Sequence, residues 1–299
     1  MANGEVHIPV LASEVLAVLQ PRPGGRYLDA TVGLGGHAEA ILSAAGGAVL
    51  IGMDRDAEAL AHARERLARF GDRVTLLHAR HEALAETLSP ERRFDGVLFD
   101  LGVSSLQLDA AERGFSFTRE GALDMRMDRS GGETAAELLR RTSERELADL
   151  IYRWGEERFA RRIARAIHEV GRREPIRTTT VLADTVAKAV PRSRWPRHIH
   201  PATRTFQALR IAVNEELTGL AAALEAAADR LAPGGRAAAI SFHSLEDRIV
   251  KQTWRRLQQE RGFRILTKRP IVPGEAEVAA NPRARSAKLR ALERPEEGH

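Results

Sequence analysis

Three aspartates each close a short apolar run within the first hundred residues, and glycines crowd the first of them. Tyr27-Leu28-Asp29-Ala30-Thr31-Val32-Gly33-Leu34-Gly35-Gly36-His37 runs like a strand into a glycine-rich turn, Asp54 follows the run 49–53, and Asp100 follows 94–99. Glycine can take positive φ and bring its backbone close to a ligand. A carboxylate at the end of the second strand of such a unit can accept hydrogen bonds from ribose hydroxyls. Asp29 narrows the chemistry further. A negative charge just ahead of the glycines opposes a pyrophosphate and suits a cationic amino-acid group, which points to S-adenosylmethionine rather than a dinucleotide. A dinucleotide fingerprint asks for G-x-G-x-x-G with an acid about 20 residues on, and here Ala38 stands where the third glycine belongs. Asp54, 19 residues after Gly35, suits either cofactor.

Asp100 opens Asp-Leu-Gly-Val-Ser-Ser at 100–105. A carboxylate there can accept a hydrogen bond from an amine undergoing methylation; the competing role is to cap the following helix. Further on, Ser241-Phe242-His243-Ser244-Leu245-Glu246-Asp247-Arg248 gathers a hydroxyl, an imidazole, two carboxylates and a guanidinium behind a fifth apolar run. The segment is not the G-x-S-x-G elbow of a serine hydrolase. Ser244 with Asp247 reads as a capping box, and His243 as either a site residue or a structural hydrogen-bonding one.

Elements must bring these groups together. Strands are expected at 26–30, 49–53, 73–77 and 94–100, with helices at 36–43 and 56–70 between them. Apolar strands alternating with helices imply a parallel sheet covered on both faces. Right-handed crossovers then bring Asp29, Asp54 and Asp100 to one sheet edge. From 105 to 203 the strand rhythm stops and helical spacing takes over, with Ser143 and Glu146 forming a capping-box pattern. A long helix is expected over 202–231, a strand at 236–242, a helix at 245–259 and a last strand at 263–267. The reading is a doubly wound, mostly parallel α/β domain, residues 1–104 and 204–299, with an all-α insertion at 105–203 that is expected to recognise the substrate.

Composition sets limits. With 43% hydrophobic and 29% charged residues the chain has a globular composition. No apolar run approaches the ~20 residues of a membrane span, and the first residues lack a secretory pattern, so a cytoplasmic protein without a membrane partner is expected. There is no cysteine, which excludes disulfides and thiolate metal sites; no metal is expected. It also removes the thiolate that activates carbon five of a pyrimidine, leaving nitrogen or oxygen as the methyl acceptor. Net charge is +5, yet from 248 to 294 thirteen Lys or Arg face four acids. That block suits either an RNA-contacting surface or a solvated tail.

Several of these motifs, taken with others, resemble the bacterial MraW (RsmH) family: His7 and Pro9-Val10-Leu11, the glycine turn, Asp-Leu-Gly-Val-Ser-Ser, Arg-Gly-Phe-Ser-Phe at 113–117, Leu-Asp-Met-Arg-Met-Asp at 123–128, Thr-Phe-Gln-Ala-Leu-Arg-Ile at 205–211, the 241–248 segment, and Asn-Pro-Arg-Ala-Arg-Ser-Ala-Lys-Leu-Arg at 281–290. The resemblance covers nearly the whole chain. It implies a class I (Rossmann-like) methyltransferase sheet with a helical insertion and S-adenosylmethionine as donor, leaving S-adenosylhomocysteine. The implied acceptor is the exocyclic 4-amino group of one cytidine in small-subunit (16S) ribosomal RNA, within the small ribosomal subunit.

Carried over by motif, Gly35, Gly36 and His37 are expected at the methionine part, Asp54 at the ribose, and Asp100 and Gln107 near the adenine or the methyl-transfer face. His81 stands where the family often has an aromatic residue, and imidazole too can stack on adenine. Asp100 is the first candidate to accept the amine's proton, with His243 second. Arg248, Arg283, Arg285, Lys288 and Arg290 are the candidate phosphate contacts. Trp154, Trp195 and 197–200 belong to the insertion, its aromatics read mainly as core. A homodimer stays open. Two other classes compete: a nicotinamide oxidoreductase, which the glycine pattern and Asp29 disfavour, and a non-catalytic RNA-binding protein, which the unbroken set of edge residues disfavours.

Overall fold

The computed structural model describes residues 9–196 and 199–296, so that His7, Arg197 and His198 of the sequence reading lie outside the described residues. The chain forms α1 (Ala12–Leu19), β1 (Arg26–Asp29), α2 (Gly36–Ala44), β2 (Val49–Asp54), α3 (Ala57–Leu67), β3 (Val74–His78), the single turn α4 (Leu84–Thr87) and β4 (Phe94–Asp100). Then follow α5 (Ser105–Asp109), α6 (Ala135–Arg141), α7 (Glu144–Gly155), α8 (Ala160–Gly171), α9 (Thr179–Ala189) and α10 (Thr203–Asn214). The last stretch is α11 (Leu220–Asp229), β5 (Leu231–Ser241), α12 (Ser244–Arg261), β6 (Arg264–Ile265), α13 (Glu275–Ala280) and β7 (Lys288–Glu293). Two compact units result, 1–102 with 217–299, and 103–216.

In the first unit the strand order is β3-β2-β1-β4-β5-β7-β6. β1 to β5 pair in parallel, and β7 runs antiparallel to both its neighbours. Alternate side chains of one strand enter opposite layers. Val97 and Phe99 of β4, with Ala237 and Ala239 of β5, pack among Leu224 of α11 and Trp254 of α12. Leu98, Ala238 and Ile240 pack instead among Leu19 of α1 and Ile41 of α2. Both faces are therefore buried, as a parallel sheet requires. Strand order reverses at β1, between β2 and β4, the point where open α/β sheets bind ligands.

The second unit, 103–216, is helical around its own core, in which Leu147, Ile151, Ile163, Ile167, Leu182 and Leu209 are buried. Ser143 and Glu146 form the expected capping box at α7. Trp154 and Trp195 pack against this core as expected, and Trp195 donates through Nε1 to the Val190 carbonyl at 3.1 Å.

Among the elements, the structure departs from the sequence reading chiefly in three places. The helix expected over 202–231 is two, because Glu215 closes α10 at φ 51° and Gly219 opens α11 at φ 78°. Asn214 secures that break, its amide donating to the Met125 carbonyl (2.7 Å) and accepting from the Met127 N–H (2.8 Å). α10 thus belongs to the helical unit, and the division falls at 216/217 rather than 203/204. The strand expected at 236–242 begins earlier, at Leu231, with its register against β4 shifting between Phe94 and Gly96. The third departure is β7, which lies in a segment expected only to be basic; it pairs with β5 from Arg236↔Glu293 to Ser241↔Lys288.

Candidate functional site

The ends of β1, β2, β4 and β5 carry the site groups of the first unit. Asp29 is fully buried; its Oδ1 accepts the Thr31 N–H at 3.2 Å. Thr31 in turn accepts the Asp100 N–H on Oγ1 at 2.6 Å, so the turn after β1 is tied to the last residue of β4. Asp29 Oδ2 and Asp100 Oδ1 are buried without a hydrogen-bond partner among the described residues. Buried polar atoms are rarely left so, and two carboxylate oxygens in this state suit a donor or a cationic ligand. Burial pushes the Asp29 carboxyl up to about 7, with the nearby Asp54 charge adding to the rise and the Thr31 N–H opposing it. Asp100 is raised well above the ordinary carboxylate value by burial first, then by the charges of Asp29 and Glu246.

His37, on the first turn of α2, is 5% exposed and places Nε2 3.5 Å from Asp100 Oδ2. Gly35 caps that helix at φ 80°, and a Cβ there would stand 3.3 Å from Leu67. Gly33, at φ 50°, donates its N–H to Asp54 Oδ2 at 2.8 Å. A Cβ on Gly36 would meet Pro9 at 3.3 Å, so the turn is pressed closely against its surroundings. Asp54 accepts a second backbone N–H, from Asp56, on Oδ1 at 2.9 Å. Each oxygen of a carboxylate has a further lone pair, which leaves capacity for a ribose diol; burial raises this carboxyl as well. His81 follows β3, set edge-on to Phe99 with ring centroids 6.1 Å apart and its Nε2 3.8 Å from Glu82 Oε1. Burial lowers its pKa, so the ring is held neutral and suited to stacking.

After β5 the structure corrects the capping assignment. The N-cap of α12 is His243, not Ser244, and its box partner is Glu246, not Asp247. Glu246 Oε2 accepts the N–H groups of Phe242 (2.8 Å) and His243 (3.3 Å), while His243 Nδ1 accepts the Glu246 N–H (3.4 Å). With Nδ1 accepting, the neutral ring carries its proton on Nε2, which lies 3.2 Å from Glu246 Oε1. That arrangement favours His243 as the holder of the turn over His243 as a base.

Gln107 lies in the 103–216 unit, where it is buried in a capping box with Ser104: Ser104 Oγ accepts the Gln107 N–H at 3.3 Å and Gln107 Oε1 accepts the Ser104 N–H at 3.0 Å. Among the basic candidates, Arg248, Arg283 and Arg285 are exposed. Lys288 is partly exposed with Nζ 3.7 Å from Asp247 Oδ2. Arg290 departs from its expected role. It is 8% exposed and grips Asp247 through two contacts, Nε to Oδ1 at 2.6 Å and a terminal nitrogen to Oδ2 at 3.2 Å, so it is not a surface phosphate contact. Sequence reading gives Thr31 no role and counts Glu246 only among the carboxylates of 241–248, missing its place in the cap; S/T-x-x-E patterns begin at Ser/Thr, so a histidine cap gives no signal.

The sequence matches the MraW methylase family over residues 4–295. It is 52% identical over 310 aligned residues to the Ribosomal RNA small subunit methyltransferase H of Pelobacter propionicus, covering 97% of this chain and 99% of that protein. It is 56% identical over 294 residues to the protein of the same name from Gloeobacter violaceus, covering 98% and 90%. Solved structures are more remote: a putative rRNA methylase from Clostridium thermocellum aligns over 96% of this chain and 99% of its own at 15% identity and a TM-score of 0.45. Because the sequence match spans nearly the full length and the carboxylates at the switch point, with Asp29 fully buried, fit a cationic methyl donor, the chain belongs to the MraW methylase family, with S-adenosylmethionine as its donor.

Proposed function

We propose that this protein transfers a methyl group from S-adenosylmethionine to the exocyclic 4-amino group of a cytidine in small-subunit ribosomal RNA. The observation that carries the reading is the Asp29–Thr31–Asp100 junction, with its two unpartnered carboxylate oxygens, in a chain that matches small-subunit rRNA methyltransferases end to end. The absence of any cysteine supports a nitrogen acceptor over carbon five.

The donor, when bound, supplies an electrophilic sulfonium methyl group. Asp29 pairs with the donor's ammonium, Gly35, Gly36 and His37 line its methionine part, Asp54 holds the ribose and His81 packs beside the adenine; Gln107 is a further donor contact. Asp100 accepts a hydrogen bond from the 4-amino group, aligning a nitrogen whose lone pair is delocalised into the ring. Such alignment contributes ~7–11 kcal/mol in favourable cases. As the nitrogen–methyl bond formed and the sulfur–methyl bond broke, the latter's electron pair would return to sulfur to leave S-adenosylhomocysteine, and the amine would lose a proton to Asp100. The raised pKa of that carboxyl makes it a better base than an ordinary aspartate, since general-base catalysis improves as the pKa approaches the working pH. Arg248, Arg283, Arg285 and Lys288 contact RNA phosphates.

The test is methyl transfer from labelled S-adenosylmethionine to small ribosomal subunits from cells lacking this protein, followed by nucleoside analysis. Label in a 4-amino-methylated cytidine is expected. Label absent from subunits and from free small-subunit rRNA, despite donor binding, would overturn the proposal.

A further inference from the structure

The helical unit has a second charged feature that the donor site does not use. Between 158 and 173 the sequence places six arginines against one acid, Glu169, in a chain whose net charge is only +5. α8 (Ala160–Gly171) turns Ala160, Ile163, Ala164 and Ile167 into the core. Arg161, Arg165 and Arg172 therefore recur on the other side at helical spacing, an arginine-rich stripe with Arg158 in the turn before the helix, the uncharged His168 among them and a single acid, Glu169, on the same face. At 1.5 Å per residue the arginines from 161 to 172 span about 16 Å along the helix. The four arginines are exposed, and the adjacent Arg162 widens the row.

Some other arginines of this unit are matched by acids, as Arg126 is with Asp124, Arg141 with Glu133 and Arg210 with Glu216. Along the stripe Arg165 reaches a carboxylate, Glu144 at 3.5 Å, while Arg158 lies over the Phe159 ring; among the described residues Arg161, Arg162 and Arg172 enter no ion pair. Like charges at these spacings repel one another and weaken a helix. The stripe is thus a feature that the folded unit tolerates and that a polyanion would relieve.

We infer that the α8 stripe is a docking surface for the phosphate backbone of the substrate RNA, separate from the basic residues near the C-terminus. The inference rests on the proposed rRNA acceptor. Guanidinium groups one helical turn, about 5.4 Å, apart can each meet a different phosphate and release counterions. They hold the RNA without reading its sequence, as backbone contacts do.

The experiment compares the full-length protein with the triple variant Arg161→Gln/Arg165→Gln/Arg172→Gln and with the matching triple Lys variant. Small subunits are the substrate, and KM and kcat are followed across salt concentration. Expected for the Gln variant are a KM raised at least tenfold at near-physiological salt, kcat at saturation within twofold, unchanged S-adenosylhomocysteine affinity, and a log K against log salt slope shallower by about 2–3. The Lys variant keeps the slope. The Tm of the Gln variant should change little, because the exposed Arg165–Glu144 pair it loses is worth little and repulsion is relieved, whereas a structural role would lower it markedly. A wild-type slope and KM in the Gln variant overturn the docking surface while leaving the methyltransferase reading intact. No transfer by the wild type overturns that reading itself. A Gln variant that loses intact subunits yet binds naked small-subunit rRNA normally also overturns the RNA assignment and shows an acidic protein surface as the partner.

Discussion

Asp29 is buried and Asp100 partly buried at the strand-order reversal, and each has one buried oxygen without a hydrogen-bond partner among the described residues. Such groups lower the stability of the free protein so that a ligand can restore it. The sign for Asp29 follows from its carboxyl at about 7 against 3.8 for an ordinary aspartate. The folded state keeps a proton that the unfolded state has lost, so stability falls as pH rises from about 4 through about 7. Asp29→Asn should therefore stabilise the ligand-free protein at pH 8, by on the order of 2–4 kcal/mol, and give little gain at pH 4. Thermal denaturation at the two pH values measures this, and the same variant should bind S-adenosylhomocysteine more weakly. At Asp100, replacement by Asn removes the proton acceptor while keeping the shape. A loss of about 10²–10⁴ in kcat is expected, with S-adenosylhomocysteine affinity in calorimetry changed far less. Equal losses in both would make Asp100 a donor-binding group alone.

Turns rather than regular elements set the geometry of the edge. Gly35 starts α2 in a left-handed conformation with Leu67 behind it. Gly35→Ala should cost about 1–2 kcal/mol from the backbone alone, seen in urea titration, and more in donor affinity than in stability, because the turn cannot move without moving Gly33 and Asp54. At the start of α12, Glu246 accepts two backbone N–H groups from the chain leaving β5. Glu246→Ala leaves those donors unpaired, at about 1–3 kcal/mol each if water cannot reach them. Glu246→Gln, which keeps one acceptor oxygen, should recover much of the loss.

Over the whole chain, basic residues divide into those that neutralise buried acids and those that face outward. Asp247 shows the first use: burial would raise its pKa, but the hydrogen bond and charge of Arg290, with Lys288, bring it below the ordinary value. Removing one partner of a largely buried pair strands the other charge, so Arg290→Gln should lower Tm by several degrees and leave the salt dependence of RNA binding unchanged. Arg285, exposed in the turn before β7, should do the reverse: Arg285→Gln reduces the salt slope by about 1 with Tm unaltered.

The same division separates what can be read from residue order from what cannot. Strand β4 is legible to its last residue, and β1, β2 and β3 to within a residue or two, because buried parallel strands are short apolar runs and the helices between them repeat every three to four residues. Asp29, Asp54 and Asp100 fall together for the same reason: topology alone brings the ends of parallel strands to one edge. β7 is not legible. Lys288-Leu289-Arg290-Ala291-Leu292-Glu293 alternates charge with apolar side chains, yet nearly all of it is buried, since Arg290 finds Asp247 and Glu293 finds Arg236 and Arg264. Those partners lie 29 to 57 residues away, beyond any local pattern. The break between α10 and α11 is hidden likewise, because the residue that secures it, Asn214, bonds 87 and 89 residues back to Met127 and Met125. Local periodicity and the order of elements thus determined the sheet, the edge and its carboxylates from sequence alone. Which charged groups are buried, which cap, and which remain available to RNA was decided only by tertiary contacts, because a side chain's charge is neutralised by whatever the fold places beside it, not by its neighbours along the chain.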